Sequence, residues 1–579
     1  MKGFNTKKRS AILSASILAI LQGATLSAAE RSMMLEEVVV TAQKREQNLQ
    51  DVPVAIQAAL GDEMRASGIE KLEALAPTIP ALHISEAFGG DQIFLRGLGP
   101  GVNFGFEQAV GQVVDGFFYG RSRFSRLQFL DLERVEILKG PQGAIIGKNT
   151  TAGAINITTA HPTEEFEGWF TVAEEFEGAE GETYEGAISG PLTDSVKARL
   201  ALRYEDKDGY LNNKTTGNDD QSREDLAGRL SILIDPTDSF SALLQYAFSD
   251  IERDGRHIQP IHCSAGMLAD IAASNINEDC RLNSTRSSQN TINGVGGFEY
   301  QDTEAETMGL TLTWEFDQFT FSSLTGYAEY EYTDWGNSTY TGIENFLVQI
   351  DEDYDQFSQE FRITSNGNGR IDYIAGVFYQ EHNLDSLLDL NILFAGPNTI
   401  NRNRHVVTAQ DGETTAAFGQ ITWHLNDNWD ITFEGRYTKE DKDGRSIQFP
   451  ALVYTTTPVP GPGTGGPAGV FNVHDVKDNR SESDFSPGIV LQWRPTDSAM
   501  FYASLKKGFK GGGFDHQLSA NQSDASDGRF TFEEEEVVSA ELGGKLTLAD
   551  GAARLNFSIF RNEYDDLQVS TLTGPTTFT

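Results

Sequence analysis

The stretch LDLERVEILKGPQGAIIGKNTTAGAINITT, residues 130–159, decides how the rest of the chain is read. Two β-type runs, RVEILKG at 134–140 and GAINITT at 153–159, flank a glycine-rich centre. Lys139, Gly140 and Pro141 read as a turn, and Gly143, Gly147 and Gly153 suit tight packing and turning. The centre is not a phosphate loop. GKNT lacks the G-x-x-x-x-G-K-[ST] pattern, because Asn149 follows Lys148. A small, turn-rich β unit is expected here rather than a nucleotide site.

Working outward, residues 46–160 read as one compact mixed α/β domain. Residues 62–65 and 69–75 suit short helices, the second stopped by Pro77. Further β-type runs are ALHISE (81–86), DQIFLRG (91–97) and GQVVDGFFYG (111–120).

From Phe166 the texture changes to long strands of period two. In VKARLALRYE (196–205), Val196, Ala198, Leu200, Leu202 and Tyr204 share one face, and Lys197, Arg199, Arg203 and Glu205 the other. WDITFEGRY (429–437) and AARLNFSIF (552–560) repeat the alternation. A soluble sandwich shows the same period, so the loops must decide. Tight turns at 190–195, 235–239, 424–428 and 494–498 contrast with long polar excursions near 206–223, 250–302, 332–354, 381–410 and 439–479. Short turns on one side and long loops on the other are the outer-membrane barrel arrangement. Roughly fifteen strands are expected between 166 and 563, with LQVSTL (567–572) opening a sixteenth.

The ends and the composition fit that setting. Lys2, Lys7, Lys8 and Arg9 precede an apolar run over 11–21 and the small residues Ser27, Ala28 and Ala29, which is a secretory signal peptide. Its removal takes four positive charges and no acids, moving the net charge from −40 to −44. So acidic a chain has no broad basic footprint for nucleic acid. No later stretch approaches 18 consecutive apolar residues. Cys263 and Cys280 lie in one polar segment and are expected to form a local disulfide in an oxidising compartment. Neither H-E-x-x-H nor G-x-S-x-G occurs, so nothing favours an enzyme.

The order of these parts resembles a TonB-dependent outer-membrane receptor. LEEVVVTAQKR (35–45) resembles the TonB box with its following residues, which assigns Leu35, Glu36, Glu37, Val38, Val39, Val40, Thr41 and Ala42 to the box. IFLRGLG (93–99), with Arg96 and Gly97, resembles the first plug motif. VVDGFFYGR (113–121), with Asp115 and Gly116, resembles the strand and turn after it. The opening stretch, with Glu136, Lys139, Gly140, Pro141, Gly143 and Gly147, is similar to the family's most characteristic plug segment almost throughout. Residues 537–570 resemble paired barrel strands found well before the end of such receptors.

The resemblance implies a signal peptide at 1–29, a periplasmic leader at 30–45, a plug domain at 46–160 and a β-barrel domain at 161–579. The implied fold is an antiparallel all-β membrane barrel of the 22-stranded type enclosing a mixed α/β plug. With about sixteen strands in view and the C-terminal ones missing, the chain is expected to be a fragment of a longer receptor. The implied function is TonB-dependent import of a scarce ligand across the outer membrane of a Gram-negative bacterium, a ferric siderophore first. The alternatives are a passive porin-like channel, or import of haem, cobalamin or carbohydrate. Implied partners are TonB with its inner-membrane energising complex, outer-membrane lipid, a small ferric chelate and the outer-membrane assembly machinery; no cofactor is implied. The box, being extended, is suited to add as a strand to a partner's sheet edge. Arg96 and Glu136 match positions that resemble plug-to-wall locks. The acidic runs YEDKDGY (204–210) and DEDYDQ (351–356) are expected in solvated loops.

Overall fold

A computed structural model describes residues 37–569, 572–574 and 577–578, except 42, 88–89, 102, 104, 122, 125–128, 177–179, 257, 291–298, 345, 368, 395–399, 450–473 and 517–529. The expected signal peptide and the box residues Leu35, Glu36 and Ala42 lie outside the described residues.

The chain first builds a small unit. Strand β1 (Val39–Val40) pairs antiparallel with β2 (Gln47–Asn48). Strand β3 (Ile56–Leu60) runs into α1 (Gly61–Ala66) and α2 (Leu72–Leu75), and Pro77 sits in a 3-10 turn that ends the run. A hairpin of β4 (Leu82–Ala87) and β5 (Gly90–Leu95) follows, then one of β6 (Val110–Val114) and β7 (Phe117–Tyr119). Asp115 and Gly116 both take positive φ, 50° and 88°, the geometry of a two-residue turn that matches the twist of its strands. Last come β8 (Leu132–Lys139) and β9 (Gly153–Thr159), the two runs of the opening stretch. They are central in a five-stranded sheet of order β3-β8-β9-β6-β7, in which β6 and β9 are parallel.

The rest is one fifteen-stranded antiparallel sheet in chain order. It opens with β10 (Glu167–Glu175), β11 (Gly181–Thr193) and β12 (Val196–Lys207). Short strands β13 (Leu211–Asn213) and β14 (Asp219–Asp220) stand apart before β15 (Ser222–Thr237) and β16 (Phe240–Asp254) rejoin it. Helix α3 (Ala265–Ala273) and β17 (Thr285–Arg286) lie in the next loop, where Cys263 and Cys280 are bonded with their Cα atoms 5.8 Å apart. The sheet continues with β18 (Tyr300–Glu315), β19 (Phe319–Asn337), β20 (Phe346–Ser365) and β21 (Ile371–Phe394). Next are β22 (Ile400–Asn426), β23 (Trp429–Phe449), β24 (His474–Thr496) and β25 (Ala499–Lys510). A short hairpin of β26 (Gly513–Phe514) and β27 (Thr531–Phe532) precedes β28 (Glu535–Leu548) and β29 (Ala553–Asp565).

Burial settles what periodicity leaves open. Leu202, Leu244, Phe433, Leu505 and Leu542 are exposed, while their chain neighbours Arg203, Gln245, Glu434, Lys506 and Glu541 are buried. Apolar outside and polar inside is the pattern of a membrane barrel. The small unit fills the polar side. Its core of Val110, Val135, Ile137, Ile155 and Ile157 is continuous with Leu324, Ala328 and Tyr330 of the large sheet.

Three expectations change. Among the described residues no sixteenth strand joins the sheet: 567–569 carry no strand, and Leu572–Gly574 pairs instead with Thr577–Phe578. The excursions near 332–354 and 381–410 are largely strand, and so are the described parts of 439–479, because β19 to β24 run on well past their apolar stretches. The ladder persists there while the outward side chains turn polar, so hydropathy gives no strand signal. For the same reason DEDYDQ is not a loop, and YEDKDGY is one only over 208–210. YEDKDGY begins inside β12, and DEDYDQ lies wholly in β20, with Asp353 outward in a row with Glu331 and Asp385 on the neighbouring strands.

Candidate functional site

The functional surface is the seam between the small unit and the lumen wall, together with the leader at its short-turn end. Val40 is 1% exposed and buried among Leu49, Val52, Leu138 and Ala154. The Leu49 amide donates to the Val38 carbonyl at 2.8 Å. The Thr41 amide donates to Glu136 at 2.8 Å, and Arg134 bridges the Thr41 hydroxyl (2.9 Å) and Glu136 (2.8 Å). Asn156 completes the carboxylate at 3.1 Å. Glu136, expected to reach the wall, thus holds the leader instead. It sits on the central strand β8, where residues 38–41 rather than the barrel cover it.

Two bases continue the docking onto the wall. Lys44 pairs with Glu360, and Arg45 with Asp372 at 3.0 Å. Burial pushes the Lys44 amine from its usual 10.5 down to about 8, against the opposing pull of Glu360. The released leader therefore binds more protons than the docked one between about pH 8 and 10.5. Docking carries its full penalty below that window and strengthens as pH rises through it. A thiol placed by Val40→Cys in the purified protein, buried while the leader is docked, is expected to be better protected at about pH 9.5 than at about pH 7.5, once its labelling rate at each pH is divided by that of a free thiol, whose thiolate fraction itself rises with pH. Lys44→Met, in which Glu360 keeps Arg362 at 2.9 Å, should remove that difference.

The seam is charge-segregated. On one side the wall presents Arg199, Arg203 and Arg229, which reach Asp131 (2.6 Å), Glu70 (3.1 Å) and the Leu130 carbonyl (2.5 Å). On the other side the wall presents carboxylates to plug bases. Glu352 receives Arg121 (3.2 Å) and Arg123 (3.1 Å), Glu440 receives Lys148, and Glu541 receives Arg96 (2.6 Å). Arg96 also lies 3.7 Å from the centre of the Phe560 ring. Burial works to raise the Glu107 carboxyl, but Lys148 and Lys442 hold it well below the usual range. A plug acidic on one side and basic on the other fits this wall in one rotational setting, since the reverse would oppose like charges.

Shape adds to charge at the Asp115–Gly116 turn. Gly309 and Gly326 stand directly opposite each other on β18 and β19, and a Cβ on either would lie 2.6 Å from the Phe117 ring. The two glycines make a notch for that ring. Asp115 fixes the turn by accepting from the Thr159 amide (2.9 Å), the Thr159 hydroxyl (2.7 Å) and Gln245 (2.9 Å). Gly326→Val is expected to expel the ring and loosen the plug. Outer-membrane vesicles carrying it should admit a large hydrophilic antibiotic faster than wild type, and unchanged permeability would count against the notch.

The remaining motif residues serve close packing. Gly97, Gly140 and Gly147 have positive φ of 84°, 88° and 122°. A Cβ on Gly147 would sit 3.1 Å from the Arg436 guanidinium, and one on Gly143 3.0 Å from Gly508. Pro141 also faces Gly508, and Lys139 is held half-buried beside Arg96, its amine lowered by burial and then by that neighbouring charge. Sequence reasoning assigned no role to Glu107, Arg123, Asp131 or Lys148. Their wall partners were visible as the charged face of each alternating strand, but the pairing was not.

Comparison with known proteins bears on the same elements. A family model described as "TonB dependent receptor-like, beta-barrel" matches residues 269–579, and one described as "TonB-dependent Receptor Plug Domain" matches 48–154. The pesticin receptor of Yersinia pestis is 24% identical over 551 residues, spanning 92% of this chain and 71% of that one. The solved ferric yersiniabactin uptake receptor of Yersinia pestis superposes with a TM-score of 0.72 at 18% identity, covering 89% of this chain and 73% of that one. The ferripyoverdine receptor of Pseudomonas aeruginosa gives a TM-score of 0.66 at 14% identity, over 92% of this chain and 66% of that one.

Proposed function

The chain belongs to the TonB-dependent receptors, β-barrel proteins of the Gram-negative outer membrane, and from that membership we propose that it imports a ferric siderophore by active transport. The family is one of transporters and receptors rather than enzymes. Residues 46–160 are the plug, 161–579 belong to the barrel, and 35–42 are the box through which TonB and its energising complex act.

The observation that carries this reading is a lumen filled by a charge-matched plug whose leader emerges at the short-turn end, beside Glu360 and Asp372. A passive channel would gain nothing from a filled lumen or from a docked leader. The substrate class rests on the relatives, whose names include ferric yersiniabactin uptake and ferripyoverdine. The test is growth of an iron-starved strain lacking its other receptors on a panel of ferric siderophores, with haem and cobalamin alongside. Growth on one or more ferric siderophores supports the reading. Growth only on haem or response only to cobalamin would replace the substrate class.

A further inference from the structure

On the wall strand β23, Arg436 is 3% exposed and forms no ion pair among the described residues. Its Nε donates to the Thr438 hydroxyl at 3.2 Å, and its Nη1 is buried without a partner. The rings of Phe378 and Phe418, on β21 and β22, have their centres 5.2 Å from the guanidinium. The carboxylate whose charge reaches it is Glu360, which already holds Lys44 and, at 2.9 Å, Arg362. Other lumen cations are answered. Lys506 pairs with Glu434 at 2.8 Å, Lys442 pairs with Glu107 at 3.2 Å, and Lys545 donates to the Leu49 carbonyl at 2.6 Å. A buried charge without a counter-ion is costly, and two aromatic faces offset only part of that cost. On the plug side Arg436 meets Gly147, where a Cβ would lie 3.1 Å from the guanidinium carbon. Beside it Gly143 faces Ser486 and Gly508, a Cβ there standing 3.0 Å from each. Residues 141–147 send no hydrogen bond or ion pair to the wall among the described residues. The ties lie just beyond, from Lys148 to Glu440 and from the Asn149 amide to the Phe509 carbonyl at 3.0 Å.

We propose that Arg436, flanked by Phe378 and Phe418, is a latent anion subsite of the lumen wall, taken by an anionic ferric chelate in transit once residues 141–147 part from the wall. The inference rests on the import reading above, since only moving cargo brings such an anion to this depth. A guanidinium offers a planar fork of donors that matches paired oxyanions, and the two rings give the chelate's apolar face a surface. Because no plug group is bonded to Arg436, parting the plug from it breaks no bond there and exposes a charge that is still unpaired. Arg96 is the contrast: its carboxylate, Glu541 at 2.6 Å, is in place while the plug is seated, so that pair holds the plug and offers nothing to cargo.

Two measurements on the full receptor test this. In the first, purified receptor carrying Phe378→Cys is treated with two small thiosulfonate reagents of opposite charge, sulfonatoethyl and trimethylammonioethyl. Each rate is divided by that with a free thiol. Labelling proceeds through local openings, so the ratio of the two rates carries the answer rather than either rate. The anionic-to-cationic ratio is expected to fall at least about fivefold when Arg436→Met is added. An unchanged ratio would overturn the subsite. The second measurement is uptake of ferric chelates by energised cells, with an anionic ferric tris-catecholate as the first probe and the panel above behind it. Arg436→Met should cut the maximal uptake rate of an anionic chelate about tenfold, with Arg436→Lys recovering much of it. Binding to unenergised cells should be unchanged, and the purified Arg436→Met receptor should melt no lower than wild type, because the charge removed has no partner. An unchanged uptake rate, or uptake confined to neutral or cationic chelates, would overturn the proposal. So would a melting point that falls with the uptake rate, which would make Arg436 a structural part of the plug seat. If no ferric chelate is taken up at all, the import reading fails, and the labelling ratio still decides whether Arg436 draws anions.

Discussion

Glu352→Ala is expected to unseat the long-loop side of the plug and to open the barrel to passive leakage. Glu352 accepts from Arg123 through both oxygens, at 3.1 and 3.3 Å, from Arg121 at 3.2 Å, and from the Tyr330 hydroxyl. The Arg123 side chain is buried and that of Arg121 partly so, and Arg123 also lies 3.4 Å from the centre of the Tyr332 ring. Removing one partner of a buried charge pair costs about 3–5 kcal/mol, because the charges left behind lose their compensation inside the protein. Here two cations share the lost carboxylate, so a cost within that range is expected. Glu352→Gln keeps one acceptor oxygen but sets an NH2 donor where the other accepts from a guanidinium, and should fall between. The triple change of Glu352, Arg121 and Arg123 to leucine removes the charges together and should recover part of the loss. Thermal unfolding of the purified receptor and antibiotic entry into cells are the two readouts. A Glu352→Ala receptor as stable and as tight as wild type would show that the plug is held without this pair.

How much of this was legible in the sequence differs from level to level. The plug was readable because its residues are constrained one at a time: Asp115 and Gly116 need positive φ, and Gly147 must let Arg436 approach. The wall strands were readable because inward Arg203 and outward Leu202 alternate within a few residues of each other. Strand ends were harder, since β20 continues through DEDYDQ with carboxylates facing outward, where apolar side chains had marked it before. Long-range partners were not legible at all. Arg96 and Glu541 are 445 residues apart, and nothing local in either stretch names the other. Glu136 shows the same limit from the other side. It was expected to lock the plug to the wall, but it accepts from Thr41 on the leader, as well as from Arg134 and Asn156, because docking of that leader is a tertiary event.

On the proposed reading, that docking makes residues 38–41 the place to test coupling to TonB. Val40→Pro is expected to abolish energised uptake while leaving ferric siderophore binding at the long-loop side unchanged. Proline removes the amide hydrogen and fixes φ, so the segment can no longer pair as a central strand, either with β2 or with an added partner strand. Loss of docking alone would not produce the same result, and Val40→Ala separates the two effects. It deletes two buried methyl groups, about 1.6 kcal/mol at about 0.8 kcal/mol each, yet keeps the amide. If the box works by strand addition to TonB, Val40→Ala weakens docking and preserves uptake, while Val40→Pro loses uptake by two orders of magnitude or more. If docking onto Glu136 is itself what transport requires, both variants fail together, and Glu136→Ala fails with them. Uptake that survives Val40→Pro would remove the leader from the mechanism altogether, leaving the filled lumen to be opened by the ligand alone.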